Sequence, residues 1–343
     1  MIQAYTTPHG TSLSRHLTTH LSHQITYLST CRPLSISQGN AIRALKLAIA
    51  SIDPSVPEAT AKTSLYEFID SFIREKITVA DKVIAGSAAQ KIQDGDVIVT
   101  FAGSSIIKET FLEAHRQGKK FRVSIIDSRP LFEGKSLARS LSNVGIDVEY
   151  SLVHGISHAI KDATKVFLGA HGMTSNGRLY SRVGTALVAM SAKERSGRVE
   201  IPVIVCCETV KFTDRVALDS IVVNEIADAD ELVTAQPIQQ VTGLPDDQPF
   251  TTYPDLAKKS GGGKQSDTTH PHHVHGHGHH TTENRSNSSW TSPLKDWKET
   301  PNLQLLNIMY DVTPAEYVDM VITEMGSLPP SAVPIVHRMS TNS

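Results

Sequence analysis

The sequence predicts an α/β protein, a helical N-terminal domain followed by a domain built on a mostly parallel sheet. Three observations predict it. Through residues 1–92, apolar residues recur at spacings of three and four with no strand-like run. From Val97 onward, short β-branched runs alternate with helical stretches, which implies parallel strands joined by right-handed crossovers. The segment KVFLGAHGMTSNGRLYSRVGTA, residues 165–186, reads as a buried strand, a glycine-rich turn and a helix start. That layout places ligands at the carboxyl edge of a parallel sheet, because turn glycines let the backbone approach closely and a helix start offers free N–H groups.

Taken in order, Leu13, Leu17, Leu21, Ile25 and Leu28 predict one amphipathic helix, broken by Arg32-Pro33. Ile42, Leu45, Ile49 and Ile52 mark a second, stopped by Asp53-Pro54. Leu65, Phe68, Ile69, Phe72 and Ile73 mark a third that starts after Pro57-Glu58 and continues towards Ala89. The pattern changes at Asp94-Gly95-Asp96. Residues 97–101 are β-branched and apolar on both faces, as a strand buried on both sides must be. A helix over 106–117 follows Gly103-Ser104-Ser105 and ends at Gly118. Strands are predicted at 121–126, 148–153, 166–168 and 201–206, and helices at 135–143, 156–160 and 179–190.

Residues 235–301 depart from everything around them. They hold Gly261-Gly262-Gly263 and a tract with seven histidines in residues 270–280, and are expected to form a disordered His/Gly-rich insert with incidental metal affinity. Order is expected to resume with a strand over 303–309 and a helix over 315–325, capped by Thr313 with Pro314 in its first turn and ended by Gly326. The domains predicted are thus 1–92, 93–234 together with 302–338, and the insert at 235–301.

Bulk properties exclude several function classes. Across 343 residues, Lys+Arg 33 against Asp+Glu 35 gives a net charge of -2, so no global field favours nucleic acid or an anionic membrane. No apolar run reaches the length of a membrane span. Cys31, Cys206 and Cys207 have no metal-type spacing, and the adjacent pair sits in an apolar run, which points to reduced thiols in the cytosol. There is no phosphate-binding P-loop, no nucleophile elbow, no His-Glu-x-x-His and no full dinucleotide fingerprint in the sequence.

What remains is a set of strand-end loops. Gly103, Ser104 and Ser105 are placed to cradle a phosphate at a helix start, Arg129 to fork onto a phosphate or carboxylate, and Asn176 and Arg182 to face the same crevice. The structural alternative is that Ser104 or Ser105 caps its helix, Arg129 pairs with Glu133 or a partner chain, and Asn176 serves its turn. His171, at a strand's carboxyl edge, suits a general base, but no nucleophile or acid is evident beside it.

Several ordered motifs are familiar. They include Arg32-Pro33-Leu34-Ser35 with Gly39-Asn40-Ala41-Ile42-Arg43, and Phe72-Ile73-Arg74-Glu75-Lys76-Ile77. Asp127-Ser128-Arg129-Pro130, Ser181-Arg182-Val183-Gly184-Thr185-Ala186, Cys206-Cys207-Glu208-Thr209 and Tyr310-Asp311-Val312-Thr313-Pro314 complete the set. Together they resemble the delta subunits of eukaryotic translation initiation factor 2B over nearly the whole chain except the insert. The resemblance implies a Rossmann-like second domain and a fold shared with sugar-phosphate isomerases. Those enzymes carry a catalytic cysteine at the position of Ala102 and a catalytic aspartate at that of His171. Both are lost here, so the resemblance implies a non-catalytic chain with no cofactor and no metal, keeping at most a remnant phosphate pocket.

It further implies a cytosolic regulatory subunit of the guanine-nucleotide exchange factor for initiation factor 2, whose exchange chemistry lies in the epsilon subunit. The expected partners are the alpha, beta, gamma and epsilon subunits, beta most directly, and initiation factor 2 itself, especially its phosphorylated alpha subunit. Val216, Leu218 and Val222, in an apolar stretch after the fifth strand, are the candidate subunit interface. Such delta subunits usually carry a further N-terminal extension, so a truncated start is also expected.

Overall fold

A computed structural model describes residues 2, 5–194, 200–218, 226–233, 292 and 294–342. Most of the predicted insert, with its expected disorder and its histidine tract, lies outside the described residues. The chain divides into two units, Met1–Leu232 with Leu305–Ser343, and Val233–Gln304. Of the second, residues 294–299 form turns, and Lys298 Nζ stands 5.6 Å from the Trp297 ring centroid.

In the first unit, four α-helices precede any strand: α1 (Leu13–Cys31), α2 (Ile36–Ala50), α3 (Glu58–Ile73) and α4 (Ala80–Ala89). Between α3 and α4 the chain continues as a π-helix, Arg74–Val79, so the third predicted helix is one rod with a widened segment. Leu17, Leu21, Ile49 and Leu65 close a small core among the first three helices. Helix α2 begins six residues before the first apolar marker, Ile42. Ser35 and Gln38 form a reciprocal capping box there, each side chain satisfying the other's backbone N–H.

The alternating part follows as β1 (Val97–Phe101), α5 (Ser105–Arg116), β2 (Arg122–Asp127), α6 (Glu133–Ser142), β3 (Asp147–Leu152), α7 (Ile156–Lys161) and β4 (Lys165–Gly169). A hairpin of β5 (Gly172–Met173) and β6 (Leu179–Arg182) comes next, then α8 (Thr185–Lys193), β7 (Val203–Cys206) and the short helix α9 (Asp230–Val233). The chain ends in β8 (Tyr310–Thr313), β9 (Met320–Thr323), β10 (Gly326–Leu328) and α10 (Val333–Asn342). Seven strands form one sheet in the order β10-β9-β7-β4-β1-β2-β3, parallel except for β10 against β9. Strands β5, β6 and β8 form a separate antiparallel sheet. Both faces of the large sheet are covered. One core holds Ile98, Phe111, Phe167 and Ile204; the other holds Val99, Val166, Val188 and Val205.

Three predicted elements are corrected. Residues 179–182 are a strand, not the start of a helix. Leu179 and Ser181 are buried while Tyr180 and Arg182 are half-buried, a period of two that a count of apolar residues alone misses. Helix α8 begins only after Gly184. The strand predicted over 303–309 forms later, at β8, and of the earlier residues Ile308 alone makes a bridge, to Ile226. The helix predicted over 315–325 is instead a short 3₁₀ turn, Ala315–Tyr317, followed by β9. Val321, Ile322 and Thr323 are β-branched and buried, and β9 extends the parallel sheet beside β7.

Candidate functional site

The sheet order reverses at β1. The chain steps outward through β2 and β3, then returns to β1's other edge as β4. A crevice opens at such a point, outside the carboxyl ends of the strands. Here it holds a cavity of about 430 Å³. Phe101 and Ala102 from the end of β1 line it, with Leu168 and Gly169 from the end of β4, and Ser104 and Ser105 from the start of α5. Arg32, Ser35 and Gln38, where α1 passes into α2, form part of its lining, as do His171, Arg182 and Tyr310.

Each side chain is set by a local device. Ala102 leaves β1 with φ 54, a left-handed conformation that costs an L-residue on the order of 1 kcal/mol, and its N–H donates to Ile126 O at 2.7 Å. Gly103 is required because a Cβ there would stand 2.8 Å from the backbone oxygen of Glu133. Ser104 is the N-cap residue of α5, but its side chain makes no capping hydrogen bond. Arg182 forks onto Glu133: Nη2 donates to Oε1 at 2.7 Å and Nε to Oε2 at 2.9 Å. His171 lies against two aromatic rings, 4.4 Å from Tyr310 and 5.4 Å from Tyr180 between centroids. Asp311 joins the two sheets' neighbours by accepting the N–H groups of Gly184 and Ala186 at the start of α8, and burial pushes its carboxyl up to about 6 against those two bonds.

Six of the sequence-derived positions therefore meet in one place: Ala102, Gly103, Ser104, Ser105, His171 and Arg182. Two do not. Arg129 is exposed and lines a second, smaller cavity of about 20 Å³, which also includes Glu133 and Arg182 in its wall. Glu133 pairs with Arg182, between α6 and β6, and not with Arg129 as the structural alternative had it. Asn176 serves its turn, accepting from Thr174 Oγ1 at 2.7 Å and donating to Ala217 O. It thereby anchors the loop that carries Val216 and Leu218, which are 55% and 84% exposed; Val222 lies outside the described residues. Sequence reasoning missed Arg32, Gln38 and Tyr310. The Ser-x-x-Gln capping box could have signalled Gln38, Arg32 stands at the end of α1, and Tyr310 follows a long insert that hides its pairing with β6.

The chemistry is polar and short of reacting groups. The described lining holds hydroxyls, the Gln38 amide, one imidazole against aromatic rings and two guanidiniums, Arg32 and Arg182, the second matched by Glu133. Among the described residues no cluster of three or more His, Cys, Asp or Glu is arranged to hold a metal, and no helix is long and apolar enough to cross a membrane.

The profile of the Initiation factor 2 subunit family matches residues 1–330. The chain belongs to this family. It is 41% identical over 98% of its length to "Translation initiation factor eIF2B subunit delta" of Schizosaccharomyces pombe, and 38% identical over 95% to the protein of that name from Dictyostelium discoideum. It spans 61% and 44% of the lengths of those relatives. A ribose 1,5-bisphosphate isomerase of Pyrococcus furiosus is 28% identical over 93% of the chain and 79% of the enzyme. Among solved structures, a chain of the tetrameric eIF2B-beta2-delta2 complex from C. thermophilum matches with a TM-score of 0.69 and 33% identity, covering 94% of this chain and 81% of that one. These likenesses place the chain among translation initiation factor subunits with a mixed, mostly parallel α/β fold.

Proposed function

We propose that this chain is a non-catalytic regulatory subunit of the guanine-nucleotide exchange factor for translation initiation factor 2. In this reading it pairs with a beta-type subunit in the cytosol, helps to join two half-complexes into a decamer with the alpha, gamma and epsilon subunits, and senses phosphorylation on the factor's alpha subunit. Phosphorylated substrate would favour a non-productive docked state, a matter of differential binding between two states. The observation that carries the reading is the crevice. Where the resemblance to isomerases implies a thiol and a carboxylate, it holds Ala102 and a His171 packed against two aromatic rings, and the Arg182 guanidinium is matched by Glu133. The likeness to delta subunits over 98% of the chain supports it.

Native mass spectrometry of the chain, alone and co-expressed with a beta-type subunit, tests the partnership. A heterodimer or its doubled form is expected. Val216→Asp and Leu218→Asp are each expected to weaken that complex at least about tenfold, since a buried charge without a partner is costly at an interface core. Intact complexes from both variants would remove these residues from the interface, and a homo-oligomer indifferent to the partner would overturn the reading.

A second reading rests on the cavity itself, whose volume falls within the range of small-ligand sites. It is a sugar-phosphate or nucleotide sensor, or an isomerase, on the same fold. Calorimetry with ribose 1,5-bisphosphate on the wild type and on Arg182→Gln is expected to show no conversion in either. A heat of binding lost in the variant would favour the sensor, and turnover by the wild type would favour the isomerase.

A further inference from the structure

Away from the crevice, three ionisable side chains meet at the seam between the N-terminal helices and the sheet. Asp81 stands in the first turn of α4. Glu208 and Lys211 follow β7, on the segment that leads through a 3₁₀ turn, Thr209–Lys211. Glu208 is buried, and Lys211 Nζ lies 2.7 Å from its Oε2. The half-buried Asp81 carboxyl neighbours Glu208, and Asp81 Oδ1 and, its ion pair apart, Glu208 Oε2 are both buried with no hydrogen-bond partner among the described residues. Two carboxyl groups placed in this way favour a proton between them, because like charges in a partly buried site repel. With one proton on the pair and one charge on Lys211, the group is neutral. Without that proton it carries a buried net negative charge.

The same segment is gripped from two further sides. Asn40 Nδ2 of α2 donates to Val210 O and Phe212 O, each at 2.8 Å, and Thr209 N donates to Glu324 Oε2 at 3.0 Å. These bonds fasten α2, and the residue after β9, to the segment that follows β7. We propose that Asp81 and Glu208 share one proton and form a pH-dependent clasp between α4 and residues 208–212.

The surroundings agree. Burial first, then the contact with Glu208 and its charge, push Asp81 up to about 6, with Glu109 of α5 adding to the rise and Lys211 opposing it. Burial pulls the Lys211 ammonium down, but the Glu208 carboxylate beside it outweighs burial and holds it charged. Glu324 faces Cys207 and Thr209 from beyond β9. Both neighbouring thiols are kept neutral by burial, Cys206 pushed up to about 12 and Cys207 well above its usual range.

The sign follows. A carboxyl whose folded value lies above its unfolded one contributes stability fully below the unfolded value, about 4, and loses it as pH rises through the folded value, about 6. The clasp therefore loosens between about pH 4 and pH 6 and is released by neutral pH.

Hydrogen exchange of the full chain, followed by mass spectrometry and corrected for intrinsic rates, reads this directly. For peptides covering α4 and residues 208–212, the opening equilibrium is expected to rise about tenfold between pH 5 and pH 7.5 in the wild type. In Asp81→Asn, which keeps a donor towards Glu208 but cannot titrate, the rise is expected to vanish at those peptides alone. Equal pH dependence in the two proteins would overturn the clasp. If Asp81→Asn fails to fold, carboxyl infrared titration of the wild type decides. Asp311 also titrates near 6, so the band is read against Glu208→Gln: a second protonated carboxyl persisting to about pH 6 in the wild type and absent from that variant supports the clasp, and identical titrations refute it.

Discussion

Asp96→Ala is expected to destabilise the chain by about 3 kcal/mol or more, measured by urea unfolding against the wild type. Asp96 sits just before β1 and is buried. Its carboxylate accepts both Oδ contacts from Lys165 Nζ, at 2.6 and 2.7 Å, the hydroxyl of Thr164 at 2.7 Å and the N–H of Gln93 at 2.7 Å. One side chain thus ties the end of the helical layer to the first residues of β1 and β4, the two strands that frame the crevice. Removing it leaves Lys165, itself mostly buried, as an uncompensated cation. Burial pushes the Asp96 carboxyl up, but Lys165, Gln93 and Thr164 together bring it below the usual carboxylate range. A depressed value means that this stability is present above the unfolded value near 4 and is lost as pH falls through the folded one. The wild type is therefore expected to lose its advantage over Asp96→Ala in acid. A cost below about 1 kcal/mol near neutral pH would show that Lys165 finds water instead.

Most of the large sheet was legible because its strands obey one strong rule. Residues 97–101 and 201–206 are short, β-branched and apolar on both faces, and only a strand covered on both sides wants that composition. The misread elements are those where tertiary pairing decides. Residues 179–182 form a strand because residues 310–313 pair with them antiparallel, and the two lie on either side of the long insert. Residues 320–323 carry helix-compatible spacing, yet the open edge of β7 takes them as a strand. The site shows the same division. Gly103, Ser104 and Ser105 were legible because a strand-to-helix turn announces them, whereas Tyr310 enters the cavity from a strand whose partner lies across the insert, and Arg32 from the end of α1. Arg129 was misplaced for a geometric reason. It stands on an exposed loop after β2 and lines the smaller cavity, whereas Arg182 ends β6 and reaches the larger one, held there by Glu133, and the sequence carries no sign of that pairing.

Gly184→Ala is expected to cost about 2–4 kcal/mol, and Gly118→Ala separates its causes. Both glycines have positive φ, 108° and 81°, a region where a Cβ costs roughly 1 kcal/mol. Around Gly118 nothing lies within 4 Å of the added Cβ, so that strain is the whole effect. At Gly184 the Cβ would stand 2.5 Å from Cζ of Phe101, a buried ring in the core behind the crevice. The ring or the turn must move, and overpacking of a tight core adds about 1–3 kcal/mol. Moving the turn also lengthens the bond from Gly184 N to Asp311 Oδ2, 2.7 Å in the wild type, which holds the start of α8. The difference between the two variants, read from unfolding midpoints at equal slopes, therefore isolates the overlap with Phe101. A difference near zero would mean that Phe101 has room to yield, and that the cavity wall it forms adapts to what fills it.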